Sequence, residues 1–258
     1  MNDPFEAHGV THLSASSINE FIANPARWLL HVSGHRDSVG IPAMWRGKAI
    51  DKAITKGMFD SSLSINDLVE FAVDQYNLDL EEARYEGVPF NFKKSEIERN
   101  LLPRYIALSI PHFRSLGTPI ASQKKIKLEF EELPIPIIGY LDLQYDGIVR
   151  DIKTVGRLPT KVPESTCRQL AIYATAENNM PIIDYVHVTK SKAEIVVKQV
   201  DNINEHMAVV RQAANSMMRI LAYSPDISEV VGLLMPDFDN WRWSDDEKMQ
   251  AKKLWRMT

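Results

Sequence analysis

Residues 139–153, Gly-Tyr-Leu-Asp-Leu-Gln-Tyr-Asp-Gly-Ile-Val-Arg-Asp-Ile-Lys, are the stretch from which we predict the fold of this chain. The dipeptide Asp146-Gly147 at its centre predicts a two-residue hairpin turn, because a type I′ turn needs positive φ at both positions. A turn of this kind also sets the register of the two strands it joins. In that register Asp142 lies directly opposite Asp151.

Side chains of a β-hairpin alternate between its two faces. Asp142, Asp151 and Lys153 are therefore expected to share one face. The opposite face is predicted to be largely apolar and to consist of Leu141, Leu143, Tyr145, Ile148 and Ile152.

Two carboxylates directly opposite each other on neighbouring strands destabilise a hairpin. Either the face that carries them is open to water, or a cation bridges the pair. Lys153 favours the second interpretation, because it places an amine beside the two acids. A divalent ion with an adjacent lysine suits phosphodiester hydrolysis, since the ion activates water and the charges stabilise the reacting phosphate.

The pattern Gly139-Tyr-Leu-Asp142, followed by Asp151-Ile-Lys153-Thr154, resembles the core of the PD-(D/E)xK nuclease superfamily in its RecB-like branch. Gln169 and Tyr173 lie four residues apart on one predicted helix face. Their spacing after the lysine resembles the Gln-x-x-x-Tyr motif of that branch. The resemblance implies an α/β restriction-endonuclease-like core, with a central mixed β-sheet flanked by helices and a helical insertion.

The resemblance also implies roles for these residues. Asp142, Asp151 and the backbone carbonyl of Ile152 would hold Mg²⁺ or Mn²⁺. Lys153 would orient or activate the attacking water. Gln169 and Tyr173 would position the substrate or a metal-bound water.

A further metal ligand is expected near Gly47, where the family pattern is Gly-x-x-x-His. This chain has Asp51 in the histidine position, and a carboxylate there would favour the hard ions Mg²⁺ and Mn²⁺. The alternative is an ordinary solvated helix residue. Some RecB-like members bind an iron–sulfur cluster through cysteines, one of which corresponds to Asn24 here. Because Cys167 is the one cysteine of the chain, no such cluster is expected.

Glu129 is a secondary site candidate, since a glutamate on the strand before the hairpin often lies near the site in RecB-like enzymes. Its alternative is an exposed strand carboxylate. The loop 85–94 mixes aromatic residues with lysines, which would either hold single-stranded nucleic acid or tuck against the domain. Residues expected to contact nucleic-acid phosphates are Arg46, Lys48, Thr154, Arg157 and Lys161.

The chain of 258 residues is expected to form one nuclease domain over 1–258. A helical elaboration is predicted for 61–120, with a break or kink at Pro103, and C-terminal helices for 200–258. The net charge of −4 gives no overall sign of nucleic-acid binding, so DNA contacts would come from local basic clusters.

The predicted function is a metal-dependent deoxyribonuclease, most simply an exonuclease of phage or bacterial DNA recombination, replication or repair. It would act on single- or double-stranded DNA. One alternative is a non-catalytic nucleic-acid-binding or scaffold protein on the same fold. Another is a nuclease active only with a partner, such as a helicase, recombinase or single-strand-binding protein; the chain has no G-x-x-x-x-G-K-[ST] motif of its own.

The sequence shows no apolar run near 18 residues and no signal-peptide pattern. We therefore expect no membrane association and a location in the cytoplasm of a bacterium or of a phage-infected host. The lone cysteine is consistent with a reducing compartment.

Overall fold

The computed structural model describes residues 3–36 and 39–257. Among these residues, helices and strands occur in runs: five α-helices precede three strands, one helix leads to the last two strands, and three α-helices follow. The helices are α1 (Ala15–Ala23), α2 (Pro25–Val32), α3 (Pro42–Phe59), α4 (Ile65–Tyr85), α5 (Phe92–Ser115), α6 (Glu164–Glu177), α7 (Ile203–Leu221), α8 (Ile227–Val230) and α9 (Asp245–Leu254). The strands are β1 (Ala121–Leu128), β2 (Ile137–Tyr145), β3 (Ile148–Val155), β4 (Met180–Val188) and β5 (Ala193–Gln199).

The strands form one mixed sheet in the order β1-β2-β3-β4-β5. Strands β3 and β4 pair in parallel, and the other neighbours pair antiparallel. The parallel pair needs a crossover, and α6 supplies it. The predicted α/β architecture, a central mixed sheet flanked by helices, is confirmed.

The two faces of the sheet carry separate apolar cores. One core packs side chains of α1, α2, α6 and α7 against the sheet and includes Leu141, Val149 and Ile183. The other packs α3, α4 and α5 against the opposite face and includes Leu143 and Ile152. Two of these three helices, α4 and α5, come from the region 61–120 that was predicted to be a helical elaboration.

The predicted hairpin and its strand register are confirmed, with Tyr145 opposite Ile148 and Leu143 opposite Arg150. The type I′ turn is wrong, because Gly147 has a φ of 67° whereas the φ of Asp146 is not positive. The prediction of a shared apolar face is wrong at Leu141, which packs in the opposite core from Leu143. The regular pairing of β1 with β2 is interrupted between these two residues, where Gln123 has a φ of 48°. A residue in this left-handed conformation breaks the alternation of sides along a strand.

The predicted break at Pro103 is also wrong. Helix α5 continues through Pro103 and Pro111 to Ser115. A proline inside a helix costs about 3 kcal/mol because it removes one hydrogen bond and crowds the preceding turn. Around Pro103, the fully buried side chains of Leu102, Tyr105 and Ile106 offset that cost by packing in the second core.

The C-terminal helix α9 docks against α2. Its N-terminus has a capping box, in which the side chains of Ser244 and Glu247 each accept a hydrogen bond from the backbone N–H of the other. A small apolar cluster of Ala26, Leu30 and Trp243 lies beneath it. Across the described part of the chain, every helix is too short or too polar to cross a lipid bilayer.

Candidate active site at the divergence of two strands

Asp142 and Asp151 lie where β2 and β3 separate. The last regular pair before the separation is Leu143 with Arg150. Beyond it, the backbone N–H of Ile152 donates a hydrogen bond of 2.7 Å to Oδ2 of Asp142. A side-chain oxygen of Asp142 thus accepts the bond that a backbone carbonyl of β2 would accept in a regular sheet. Both acids lie at the gap between the two strands.

Lys153 is held against Asp151. Its Nζ donates a hydrogen bond to Oδ1 of Asp151 at 2.9 Å and lies 2.8 Å from Oδ2. Burial raises the pKa of Asp151, which is 1% exposed, although Lys153 opposes that rise. Burial by itself lowers the pKa of Lys153, but Asp151 and Asp142 outweigh it and raise that pKa. The amine is therefore a persistent positive charge beside the acids.

Asp51 reaches the same cluster from α3. Gln123 on β1 donates a 2.6 Å hydrogen bond to its Oδ2, whereas its Oδ1 is buried without a hydrogen-bond partner. Burial, followed by the nearby charge of Asp151, raises the pKa of Asp51 to about 6. Burial and then the charges of Asp151 and Asp51 raise the pKa of Asp142 well above its usual value. Three carboxylates that repel one another therefore share this site.

Helix α6 closes the opposite side of the cluster. Gln169 donates a 2.9 Å hydrogen bond to the hydroxyl of Tyr173. Burial, and then the charges of Asp151 and Asp142, raise the pKa of Tyr173, although the bond from Gln169 opposes that rise. A Cβ added at Gly139 would lie 2.6 Å from Cε1 of Tyr173, so the absent side chain of Gly139 makes room for the ring. Helices α3 and α6 flank the acids as expected.

The chemistry of these residues fits a hard divalent cation. The available side-chain ligands are carboxylate oxygens. Oδ1 of Asp51 is buried without a hydrogen-bond partner, and buried Oδ2 of Asp151 has the ammonium of Lys153 2.8 Å away. Within residues 3–36 and 39–257, no three Asp, Glu, His or Cys side chains are already arranged to enclose an ion. Mg²⁺ does not require such a cage, because one or two carboxylates with water and substrate phosphate are sufficient.

Glu129 does not belong to this cluster. Its side chain is 69% exposed and pairs with Lys127 at 2.6 Å. It lies six residues beyond Gln123, a separation of about 20 Å along an extended chain. The β1 residue that reaches the site is Gln123, which our sequence reasoning missed. The hairpin register cannot reveal it, because its position opposite Asp142 depends on the pairing of β1 with β2.

The expected phosphate-contacting residues fall into two groups. Arg46 is buried, pairs with Glu98 on α5 and donates a 3.1 Å bond to the carbonyl oxygen of Thr154. Arg46 and Thr154 therefore connect α3, α5 and β3, and the expectation that Arg46 contacts phosphate is wrong, because its guanidinium is already enclosed by protein.

The remaining basic candidates are open to solvent. Lys48 has a 57% exposed side chain and lies 3.8 Å from Asp79. Arg157 and Lys161 are exposed on the segment between β3 and α6. Their contact with nucleic acid stays a prediction.

The aromatic residues of loop 85–94 divide between two environments. Phe90 packs edge-on against Trp45, with ring centroids 5.3 Å apart. Tyr85 is 94% exposed and Phe92 is 61% exposed. The partly buried Phe90 thus anchors the connection between the two helices. Tyr85 and Phe92 are the exposed end residues of α4 and α5, and the guanidinium of Arg84 lies 5.6 Å from the ring centroid of Phe92.

Comparisons with known proteins add little to this geometry. No family model and no curated protein matches the chain. Among solved structures, a match described as "Crystal structure of SSO0001" is 18% identical, covers 67% of this chain and 85% of that chain, and has a TM-score of 0.33. A likeness at that level supports no conclusion about fold or function.

Proposed function

We propose that this protein is a Mg²⁺- or Mn²⁺-dependent deoxyribonuclease, acting as an exonuclease in bacterial or phage DNA recombination, replication or repair. The observation that carries the proposal is the convergence of Asp51, Asp142 and Asp151 beside Lys153 at the gap between β2 and β3. Such a cluster is costly to fold, and a cation bound among the acids would offset the cost.

The residues that would hold the ion are Asp142, Asp151 and the carbonyl of Ile152, with Asp51 reaching it from α3. Asp142 would use Oδ1, because its Oδ2 accepts the bond from the backbone of Ile152. When bound, the ion would lower the pKa of an attacking water and neutralise phosphate charge.

The other residues of the site would prepare the substrate. Lys153, kept protonated by its acidic neighbours, would stabilise negative charge on the attacked phosphate and orient the incoming water. Gln169 and Tyr173 form a hydrogen-bonded pair on α6, and this pair would position the DNA strand. Gln123 would hold Asp51 in place through its 2.6 Å bond.

A cleavage assay tests the proposal. End-labelled single- and double-stranded DNA is incubated with wild type or Asp151→Asn in Mg²⁺, Mn²⁺ or excess chelator, and product lengths are followed over time. We expect cleavage by the wild type with either metal, none with chelator, and a loss of at least about 100-fold in Asp151→Asn. Stepwise shortening from one end would identify an exonuclease. The matched control is Asp239→Asn, an exposed loop position expected to retain full activity.

Equal cleavage by wild type and Asp151→Asn would reject the assignment. Because Asp51 replaces the histidine of the resembled pattern, a non-catalytic DNA-binding or scaffold protein is the competing proposal. It predicts DNA binding with no cleavage in any metal. Cleavage that appears only after a helicase, recombinase or single-strand-binding protein is added would instead identify a partner-dependent nuclease.

A further inference from the structure

A groove of about 400 Å³ opens beside the acidic cluster. It lies between the N-terminus of α1, the middle of β2 and the first half of α6. Gln169 and Tyr173 form part of its wall. The end of the groove at Gly139 and Tyr173 adjoins the proposed catalytic site. The charges of Asp151 and Asp142 are close enough to raise the pKa of Tyr173.

The lining of the groove is polar but free of acids. Among the described residues, no Asp or Glu lines it, although the chain has 34 of them. The two acids adjacent in sequence to lining residues pair elsewhere: Glu20 lies 2.7 Å from Arg27, and Glu164 lies 3.6 Å from His206 on α7. The lining side chains able to donate hydrogen bonds outside the catalytic pair are His12, Ser14, Ser16, Asn19, Ser165 and Thr166.

These donors suit phosphate oxygens. Hydroxyl and amide side chains are common phosphate contacts in protein–nucleic acid complexes. Ser165 and Thr166 lie in the first turn of α6, whose N-terminus has no side-chain cap. The backbone N–H groups of Thr166 and Cys167 already donate to the carbonyl oxygen of Pro163, so this turn offers the groove its side-chain hydroxyls.

One aromatic side chain in the groove is largely exposed to solvent. Tyr140 on β2 lines the groove and is 55% exposed. In the sheet register it lies opposite Lys125, which is also exposed. An open ring next to a cation is the arrangement on which a nucleic-acid base stacks while its phosphate is neutralised.

The groove continues away from the catalytic end. A second cavity of about 550 Å³ shares His12, Ser14 and Ser16 with the first. Its wall includes Arg36, which is exposed. A polar path therefore runs from the acids, past Tyr140 and the start of α1, to the guanidinium of Arg36. Glu20 also lines the second cavity, where its carboxylate is paired with Arg27 at 2.7 Å.

We propose that this path binds a single-stranded segment of the nucleic acid, with one base stacked on Tyr140 and its backbone held by Ser16, Ser165 and Thr166. The proposal rests on the proposed nuclease function and specifies its substrate as a single-stranded end. Cavities of this size enclose a ligand of drug-like dimensions, which corresponds to a nucleotide or two and not to a duplex.

Binding is measured without metal so that the DNA stays intact. The anisotropy of a labelled oligothymidylate of about 12 nucleotides is titrated with wild type, Tyr140→Ala, Tyr140→Phe and Trp241→Ala in chelator. Trp241, which is 82% exposed and lies outside the groove lining, is the matched control. We expect Tyr140→Ala to raise Kd by at least about 5-fold, and Tyr140→Phe and Trp241→Ala to bind like the wild type.

The proposal is overturned if the wild type does not bind, if Tyr140→Ala binds like the wild type, or if Trp241→Ala weakens binding equally. It is also overturned if a duplex of the same length binds as tightly as the single strand. Failure of the nuclease function has a different signature: Asp151→Asn would cleave like the wild type, whatever Tyr140→Ala does to binding.

Discussion

Asp51 shows how one residue can weaken the fold while serving the site. It is held near Asp151 by the position of α3, and burial with this neighbour raises its pKa to about 6. An acid with a raised pKa is destabilising when it is charged, because the folded state binds its proton more tightly than the unfolded chain does. A residue retained at such a cost is most simply explained by a cation that needs it.

Replacement of Asp51 by Asn is expected to stabilise the metal-free protein, with a clear pH dependence. The pKa of about 6 in the folded protein lies above 3.8, the pKa of an unperturbed aspartate side chain. The penalty is therefore absent at about pH 4, grows as the pH rises through this interval and is complete at about pH 8. We expect Asp51→Asn to raise the free energy of unfolding at about pH 8 by up to about 3 kcal/mol and to change it little at about pH 4.

Urea unfolding in chelator at the two pH values measures this effect. The exposed Asp239→Asn is the control and should change stability at neither pH. Added Mg²⁺ or Mn²⁺ should stabilise the wild type more at the higher pH and stabilise Asp51→Asn less. An Asp51→Asn variant no more stable than the wild type at about pH 8 would contradict the electrostatic account.

At the scale of elements, the site depends on how closely α6 approaches β2. Gly139 allows the contact, since any Cβ there would meet the ring of Tyr173. The Gly-Tyr-Leu-Asp pattern thus has a physical reason in this chain: the glycine that precedes the acid by three residues creates the space for the tyrosine. The hairpin register alone does not reveal this, because α6 is distant in sequence.

Gly139→Ala is expected to displace Tyr173 and to impair the site more than the fold. A Cβ at 2.6 Å from Cε1 must push the ring or the helix away. Overpacking of this kind costs about 1–3 kcal/mol, and the movement should reduce DNA cleavage at least about 10-fold, because misplacement of positioning groups is amplified in rate. Gly232→Ala, where a Cβ meets nothing within 4 Å, is the control.

Thermal unfolding and the cleavage assay together test this contact. A variant at Gly139 with wild-type cleavage and a wild-type unfolding temperature would show that Tyr173 adapts freely. Loss of cleavage in a folded variant would support its positioning role.

At the scale of the whole molecule, the C-terminal helix is attached through one buried carboxylate. Glu247 on α9 is 1% exposed and accepts two bonds of 2.8 Å from Arg27 and one of 2.8 Å from His31. Burial opposes ionisation, but the bonds from Arg27 and His31 outweigh it and hold the pKa of Glu247 below its usual value. This ion pair joins the two ends of the chain.

Glu247→Gln is expected to destabilise the protein by about 2 kcal/mol, because Arg27 loses its charged hydrogen bonds to Glu247 and keeps its bond to Glu20. Since the folded pKa of Glu247 is lowered, its contribution is present above the unfolded value near 4.5 and is lost as the pH falls below it. The difference in the free energy of unfolding between the wild type and Glu247→Gln should therefore become smaller as the pH falls below about 4.5.

Urea unfolding of Glu247→Gln and Arg211→Ala measures the difference. Arg211 pairs with Glu132 at 3.1 Å, but both side chains are exposed, so its loss should cost less than about 1 kcal/mol. Equal effects of the two substitutions would show that the buried pair does not anchor α9.

Local signals in the sequence were sufficient to predict the hairpin and the register of its strands. Each of these depends on residues close together in the chain, such as Asp146-Gly147, whose backbone preferences act over a few positions. The central mixed sheet was expected from the resemblance and is confirmed. The nuclease chemistry stays a proposal.

Packing between distant segments decided the rest. It assigned Leu141 and Leu143 to different cores, kept α5 intact at Pro103, enclosed Arg46, left Glu129 in solvent and brought Gln123 to Asp51. The physical reason is that these outcomes depend on burial and charge contributed by residues far away in sequence. The sequence shows which chemical groups each segment contains. Only the tertiary structure determines which residues those groups contact.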